Sequence, residues 1–254
     1  MTTDRSLHET QKLNLAYSVV IPVFNEGEAI VSLLEKLAQA LTSNHEVIVV
    51  FDSNSDSTLP YLLEYQKQYP ALRPTLNEYG RGPALAIKFG IYCAVSNNVI
   101  ILMGDSSDDL SAIEVMAKML NETEAVIVAP SRYMDGGERV GGSILKSTLS
   151  KWANLTLYHL GRVQVHDSTN AFKGYSKSFI KEVGIESTNG FEMAVELVAK
   201  ARHRHYMVNE IPTVWHERSE GKSNYKLIRW LPHYLKWYLY AIFGFRRKNS
   251  LAGP

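Results

Sequence analysis

YSVVIPVFNE, residues 17–26, decides the fold: a run of apolar, mostly branched side chains stops abruptly at Asn25 and Glu26. So short a run reads as a strand buried on both faces, and the polar pair reads as the loop at its carboxyl end. A helix follows, because Ile30, Leu33, Leu34, Leu37, Ala38 and Leu41 recur at helical spacing and leave Glu35, Lys36 and Gln39 for water. The cycle then repeats. Residues 46–51 form a second apolar run, cut off by DSNSDST at 52–58, and Pro60 opens a helix with Tyr61, Leu62 and Tyr65 on its inner face until Tyr69 and Pro70 break it. Gly80, Gly82 and Pro83 open a third helix reaching Ser96, and residues 99–103 are another buried run, punctuated by GDSSDD. Ser111 caps a helix carrying Ile113, Met116, Met119 and Leu120, and residues 125–129 are a fourth strand. This alternation predicts an α/β fold, a mainly parallel central sheet with helices on both faces. Ligands of such sheets bind beyond the carboxyl ends of the strands, where Asn25, Asp52 and Asp105 fall. The second half is less regular, with a helix predicted at 143–160, a strand at 171–175 and a helix at 191–204.

Composition narrows the function. The chain has 254 residues, 45% hydrophobic and 21% charged, enough to bury a large core and too apolar for disorder. With 27 Lys and Arg against 26 Asp and Glu, the net charge of +1 gives no general electrostatic case for a nucleic-acid partner. A single cysteine, Cys93, excludes an internal disulfide, a Cys-based zinc cluster and a redox pair. The polar N-terminus lacks the apolar centre of a secretion signal, which predicts a cytoplasmic protein, and no apolar stretch is long enough for an ordinary membrane span.

The strand ends carry the chemistry. A dinucleotide-binding domain places a glycine-rich turn directly after its first strand, but here that position reads PVFNE, and the Walker pattern is absent. Instead Glu26, Asp52, Asp56, Asp105, Asp108 and Asp109 gather negative charge at the strand ends. Each cluster alone is compatible with an ordinary polar loop. Repetition at three equivalent strand ends is costly unless cations or donor-rich ligands occupy the edge, and a divalent metal holding a diphosphate would balance it.

These residues resemble a known family. The pieces are VVIPVFNE (19–26), DSNSDST (52–58), GRGPALAIKFG (80–90), MGDSSDD (103–109), SRYMDGG (131–137), DSTNAFKGY (167–175), GFEMAVEL (190–197) and ERSEGKS (217–223). In this order the chain resembles an inverting family 2 glycosyltransferase of the GT-A fold, and most closely the dolichyl- or polyprenyl-phosphate sugar transferases, being dolichol-phosphate mannosyltransferase-like. The resemblance divides the chain into a flexible N-terminus (1–16), a GT-A catalytic domain (17–227) and a C-terminal tail (228–254).

The resemblance also implies roles. Pro22, Asn25, Glu26 and Asp52 would hold the nucleoside of a nucleotide-sugar donor, GDP-mannose or a UDP-hexose, and Gly80 and Gly82 would let backbone pass close to it. Asp105 matches the second acidic residue of the family's Asp-x-Asp motif and would ligate Mg2+ or Mn2+. Met103 stands where the first Asp is usual, and Ser107 where a Gln or Asp often assists the metal, so the coordination is open to Asp108 or Asp109. Arg132, Lys146 and Ser150 would grip the phosphate of a polyprenyl or dolichyl phosphate acceptor, Lys146 and Ser150 lying four apart on one helix face. A phosphomonoester with a second pKa of about 6 is largely a dianion at neutral pH, so the attacking oxygen needs cations more than a strong base. Arg218 would neutralise the donor diphosphate, with help from Lys222. Glu192 and Glu196 would line the acceptor side or form an acidic surface pair, and Asp167 and Thr169 belong near the sugar; His203 and His205 flank Arg204 at a helix end, where cations suit the dipole and their spacing argues against a metal, and His166 reads as structural or exposed.

The tail IRWLPHYLKWYLYAIFGF (228–245), followed by Arg246, Arg247 and Lys248, suits the headgroup region of a cytoplasmic membrane face. The same stripe also suits a helix packed on the catalytic domain or on a subunit partner, which leaves an oligomer or a membrane subunit open. A glycan acceptor and a non-catalytic nucleotide-sugar-binding protein are the competing functions. A sugar nucleotidyltransferase is disfavoured by the missing glycine-rich loop after the first strand.

Overall fold

The computed structural model describes residues 15–217 and 227–244, without the side chains of 144–146 and 227–229. The expectations for residues 1–14, Arg218, Lys222 and the basic cluster at 246–248 lie outside the described residues, as does the side chain of Lys146. In chain order the strands are β1 (Tyr17–Val23), β2 (His45–Phe51), β3 (Leu72–Leu76), β4 (Asn98–Ile101), β5 (Ile127–Ser131), β6 (Glu138–Val140), β7 (Lys173–Ser176), β8 (Val208–Pro212) and β9 (Val214–His216). The helices are α1 (Ala29–Ala40), α2 (Leu59–Tyr65), α3 (Pro83–Cys93), α4 (Ala112–Glu122), α5 (Ile144–His159), α6 (Lys177–Val183), α7 (Met193–His203) and α8 (Leu227–Phe243).

A seven-stranded sheet in the order β3-β2-β1-β4-β7-β5-β8 is parallel except at β7, which runs antiparallel to both β4 and β5. Its centre is in register from Tyr17 opposite His45 to Val23 opposite Phe51. Side chains alternate between two cores. Val19, Ile21, Val47 and Val49 pack under Ile30, Leu33, Leu34 and Leu37 of α1 and Ile113 and Met116 of α4. Val20, Ile48 and Val50 pack under Ile87 and Ile91 of α3, in a core shared with α7 and α8. Burial on both faces explains why these strands read as unbroken apolar runs.

Four expected elements shift by a few residues. The third helix spans Pro83–Cys93 rather than reaching from Gly80 to Ser96, β4 ends at Ile101 rather than Met103, β5 occupies Ile127–Ser131 and β7 Lys173–Ser176. The sequence reading missed β3, β6, β8, β9 and α6. The tail does not stand free. Trp237 and Ala241 of α8 are buried against α7, Tyr238 donates to Thr156 of α5 at 2.8 Å, and Lys236 lies 3.7 Å from Glu186. No helix among the described residues is long and apolar enough to cross a membrane.

Glu114 of α4 ties the amino end of β1 to the turn after α1. Its Oε1 accepts from Tyr17 Oη at 2.8 Å and from the backbone amides of Thr42 and Ser43 at 2.9 and 3.0 Å, and its Oε2 accepts from Ser43 Oγ at 2.7 Å. Burial opposes the charge, but these donors hold the carboxyl at about 2 against an ordinary 4.5. A depressed folded-state pKa contributes stability that is present above about 4.5 and is lost as the pH falls towards about 2. Glu114→Gln is therefore expected to lose roughly 1–3 kcal/mol at neutral pH in urea denaturation. Its deficit against the wild type should shrink through that acid window, and a deficit independent of pH would contradict this account.

Candidate active site

Because β1, β2, β4, β5 and β8 are parallel, their carboxyl ends share one edge of the sheet, and the loops leaving that edge carry the polar residues. At the end of β1, Asn25 takes φ +55, a left-handed conformation that Asn tolerates. Its amide donates to Asp56 (3.1 Å to Oδ2) and its Oδ1 accepts from Ser57 N at 3.1 Å, while Glu26 N donates to Thr58 Oγ1 at 3.0 Å. The DSNSDST loop is thus clasped to the PVFNE loop. Asp56 is a buried strut of that clasp, and Pro22 is buried within β1 opposite Val50.

Asp52, at the end of β2, accepts from Gly82 N at 2.8 Å and from Asn77 Nδ2 at 2.8 Å. Gly82 has φ +116 and ψ 158, a backbone state that side chains exclude, and it hands directly to Pro83 at the start of α3. Asn77 completes the cradle: its Nδ2 also donates to the Gly80 carbonyl, and its Oδ1 accepts from Tyr79 N at 3.0 Å. Asn77 sits at the end of β3, a strand absent from the sequence reading, which is why its role was invisible there.

Beyond β4, Asp105 turns back on itself, its Oδ1 accepting from Ser107 N at 3.2 Å with Ser106 at φ +58. Ser107 is buried, its Oγ has no hydrogen-bond partner among the described residues, and its carbonyl accepts from His216 N at 3.0 Å. Asp108 accepts from Met103 N at 3.3 Å, and burial together with the neighbouring Asp105 charge pushes its carboxyl up to about 7. Asp109 instead faces forward, accepting from Ser111 N and Oγ. Among the described residues no group of three or more His, Cys, Asp or Glu side chains could hold a metal. The donor set at Asp105 and Ser107 is hard oxygen and incomplete, which fits an ion whose shell is finished by diphosphate oxygens and water rather than an ion caged by protein.

At the end of β5, Arg132 is clamped. Nε donates to Asp167 Oδ2 at 2.6 Å and Nη2 to Oδ1 at 3.0 Å, with the Asp167 side chain fully buried and that of Arg132 10% exposed. Burial disfavours ionising Asp167, but the Arg132 charge and hydrogen bonds, with Lys173 behind them, hold its carboxyl below the usual range. Arg132 in turn is held protonated by Asp167. Lys173, buried at the start of β7, donates to the carbonyls of Asp167 (3.0 Å), Ser168 (3.4 Å) and Asn170, and burial lowers it to about 8. Buried Asn154 of α5 accepts from Ser168 N at 2.8 Å and donates to Thr169 Oγ1 at 2.9 Å. Ser150 joins this set through Thr169 Oγ1 (3.0 Å) and Tyr133 Oη (3.1 Å).

The expected site residues thus fall into three groups on one edge: the clasped loops of β1 and β2 with the glycine turn, the Asp105 turn, and the Arg132–Asp167–Ser150 network. Lys146 is one helical turn before Ser150 on α5. Arg132 departs from expectation, since two of its three guanidinium nitrogens serve Asp167 before any ligand. Glu192 and Glu196 are not a surface pair. Both are buried: Glu192 accepts from the amides of Asn189 and Gly190, and Glu196 from the amides of Glu186 and Ser187 and from Lys200 at 2.6 Å. His166 binds Glu210 at 2.7 Å and His203 the Tyr240 carbonyl at 2.8 Å, both structural. Asn154 was detectable, because 146, 150 and 154 are spaced four apart on one helix face. Lys173 carried no such signal.

Comparison with known proteins agrees with this architecture. Dodecaprenyl-phosphate galacturonate synthase of Rhizobium johnstonii is 28% identical over 222 residues, covering 85% of this chain and 63% of that protein. A dolichyl-phosphate beta-glucosyltransferase of Trichomonas vaginalis is 24% identical over 219 residues, covering 80% and 64%. The chain thus spans less than two thirds of the length of either curated relative. Glucosyl-3-phosphoglycerate synthase from Mycobacterium tuberculosis, solved with Mn2+, UDP and glucosyl-3-phosphoglycerate, superposes with a TM-score of 0.65 at 15% identity, covering 92% of this chain and 82% of that one. S. aureus TarS with UDP-GlcNAc gives 0.64 at 17% identity, covering 91% and 68%. These likenesses are of fold, the GT-A fold. Residues 18–184 match the profile of Glycosyl transferase family 2, and the chain belongs to that family.

Proposed function

We propose that the chain transfers a single sugar, with inversion, from a nucleotide sugar to a polyprenyl or dolichyl phosphate. The observation that carries the proposal is the convergence, on one sheet edge, of the Asp52–Gly82 turn with its bare glycine backbone, an oxygen-donor turn at Asp105, and a fixed cation at Arg132 beside hydroxyls. Both curated relatives are named for transfer to a polyprenyl or dolichyl phosphate, which supports that acceptor class.

In this reading Asp52, Asn25 and Glu26 accept hydrogen bonds from base or ribose, and Gly80 and Gly82 admit the nucleoside against bare backbone. Asp105 and Ser107 would hold Mg2+ or Mn2+, which when bound supplies charge to the departing diphosphate. Arg132, held rigid by Asp167, presents a cation to the acceptor phosphate without paying again to order its side chain, and Ser150 and Thr169 supply hydroxyl donors. The acceptor is already an anion, so no strong base is required, and direct displacement from the face opposite the nucleotide leaves no covalent enzyme intermediate. Lys146 on α5 and Arg218, two residues past the end of β9 in sequence, belong to the same proposal as further cations.

The helices beside this edge suit a lipid acceptor. Leu149, Trp152 and Leu155 of α5, Leu160 just after it, and Leu231, Leu235 and Phe243 of α8 are exposed large apolar side chains. Exposed apolar side chains on both helices support peripheral membrane contact. The division into residues 17–227 and a tail stays a proposal, with α8 serving both to pack and to face lipid.

The test is a panel of GDP- and UDP-sugars with a short polyprenyl phosphate, with and without Mg2+ or Mn2+, reading glycolipid formation. Metal-dependent transfer to the phosphorylated polyprenol is expected. Transfer confined to unphosphorylated sugars would remove the lipid acceptor, and nucleotide binding without transfer to any acceptor would favour a binding protein.

A further inference from the structure

Tyr133 touches both Arg132 and Ser150, and its place is set by the turn that carries it. Buried Ser131 Oγ accepts from the amides of Tyr133 at 3.3 Å and Met134 at 3.1 Å, and the Met134 carbonyl accepts from Gly137 N at 2.9 Å. A β-carbon on Gly137 would collide with the Ser131 carbonyl oxygen, so the chain turns back on bare backbone directly after β5. From this turn the Tyr133 ring centre lies 5.3 Å from the Arg132 guanidinium carbon, within cation–π reach. The Tyr133 hydroxyl donates across to Ser150 Oγ of α5 at 3.1 Å. Arg132 Nη2 and Ser150 Oγ in turn meet at one atom, Thr169 Oγ1, at 3.5 and 3.0 Å.

A hydroxyl has one hydrogen and two lone pairs. Because Ser150 Oγ accepts from Tyr133, its own hydrogen is kept for another acceptor: Thr169 Oγ1, or an anionic oxygen brought by a ligand. Thr169 Oγ1 passes its hydrogen on to Asp167 Oδ1 at 3.3 Å, so the hydroxyls run in one direction, from Tyr133 towards the buried carboxylate. Asn154 Nδ2 also reaches Ser150 Oγ, but at 3.4 Å, and its two hydrogens are contested by Thr169 at 2.9 Å and Asp167 at 3.3 Å. Tyr133 is thus the shorter donor contact to Ser150. We infer that Tyr133 is a positioning residue for the acceptor site: it commits Ser150 to donating and backs the Arg132 guanidinium, so that a hydroxyl hydrogen and a fixed cation are offered together to a phosphate oxygen. The inference rests on the proposed acceptor role of Arg132 and Ser150, and it adds the side chain that sets their common orientation.

The experiment compares the full chain with Tyr133→Phe, Tyr133→Leu, Ser150→Ala and the double variant Tyr133→Phe/Ser150→Ala. Urea denaturation reads the contact without any substrate. Tyr133→Phe is expected to raise the unfolding constant about fivefold alone, the scale of one net hydrogen bond, and by less than about twofold in the Ser150→Ala background. Steady-state transfer to a short polyprenyl phosphate reads the function. The acceptor KM is expected to rise about fivefold in Tyr133→Phe, and further in Tyr133→Leu, which also loses the ring beside Arg132. The donor KM should stay unmoved, a split that general loosening of the fold would not produce. Equal losses of stability in the two backgrounds overturn the Tyr133–Ser150 link, and an unmoved acceptor KM in folded Tyr133→Phe overturns the positioning role. A wild-type chain that transfers to no phosphorylated acceptor overturns the acceptor reading instead, and the denaturation cycle still decides whether Tyr133 holds Ser150.

Discussion

Asp105→Ala is expected to lower sugar transfer by about 100- to 1,000-fold, the scale seen when one preorganised group facing the departing charge is removed. Asp105 accepts from Ser107 N within its own turn, and among the described residues no group of three or more His, Cys, Asp or Glu could hold the proposed ion in its place. Met103 stands where a second carboxylate would share the load, so the effect should fall heavily on this one side chain. The variant should keep its fold, because the core strands do not depend on the turn. It should also lose the metal-dependent part of nucleotide binding while keeping the part due to Asp52 and the Gly82 turn. Calorimetry of UDP and GDP with and without Mg2+ measures that partition directly. Undiminished transfer, or loss of metal-free binding alone, would show that the ion lies elsewhere.

The second large effect is on stability. Asp167→Ala leaves the buried Arg132 guanidinium without its carboxylate, removes a negative charge that favours protonated Lys173, and frees the amides of Arg132 and Asn170 that it also accepts from. Breaking a buried pair by removing one partner typically costs about 3–5 kcal/mol, far more than the pair is worth against an apolar replacement. Denaturant melts of Asp167→Ala are expected to show a loss of that size. Arg132→Lys should also be poor despite its conserved charge, since an ammonium cannot donate in parallel to both carboxylate oxygens. A loss of only a few tenths of a kcal/mol in Asp167→Ala would mean that the loop reorganises freely, and that Arg132 is not preorganised for a phosphate.

How much of this the sequence disclosed follows from where each element sits. β1 and β2 are central and buried on both sides, so VVIPV and EVIVVF announce themselves by composition alone. β3 lies at the edge and reads LRPTL, where Arg73 and Pro74 disguise a strand that an edge tolerates. β6 and β9, three residues each, are too short to generate a period. β7 carries KGYS, and Lys173 at its start looks like a surface residue until its three carbonyl partners are seen. The site divides the same way. Asp52, Asp105 and Arg132 follow apolar runs and were found by position, whereas Asn77 acts through the Asp52 carboxylate and Asn154 through the amides of Ser168 and Thr169, partners that the fold brings from elsewhere in the chain. A side chain's local pattern holds no record of such partners.

The reversed strand β7 has a consequence for how the chain assembles. It sits between β4 and β5, so β5 cannot join its neighbour until a segment more than forty residues further on has been made. The four strands from β3 to β4 can pair during synthesis as soon as residue 101 is available, and they carry the Asp52 end of the edge. The Arg132 end must wait for β7, whose arrival brings Asp167 and Lys173 with it. The ribosome therefore delivers the Asp52 cradle first and the Arg132 wall second, and the late strand is the keystone between them.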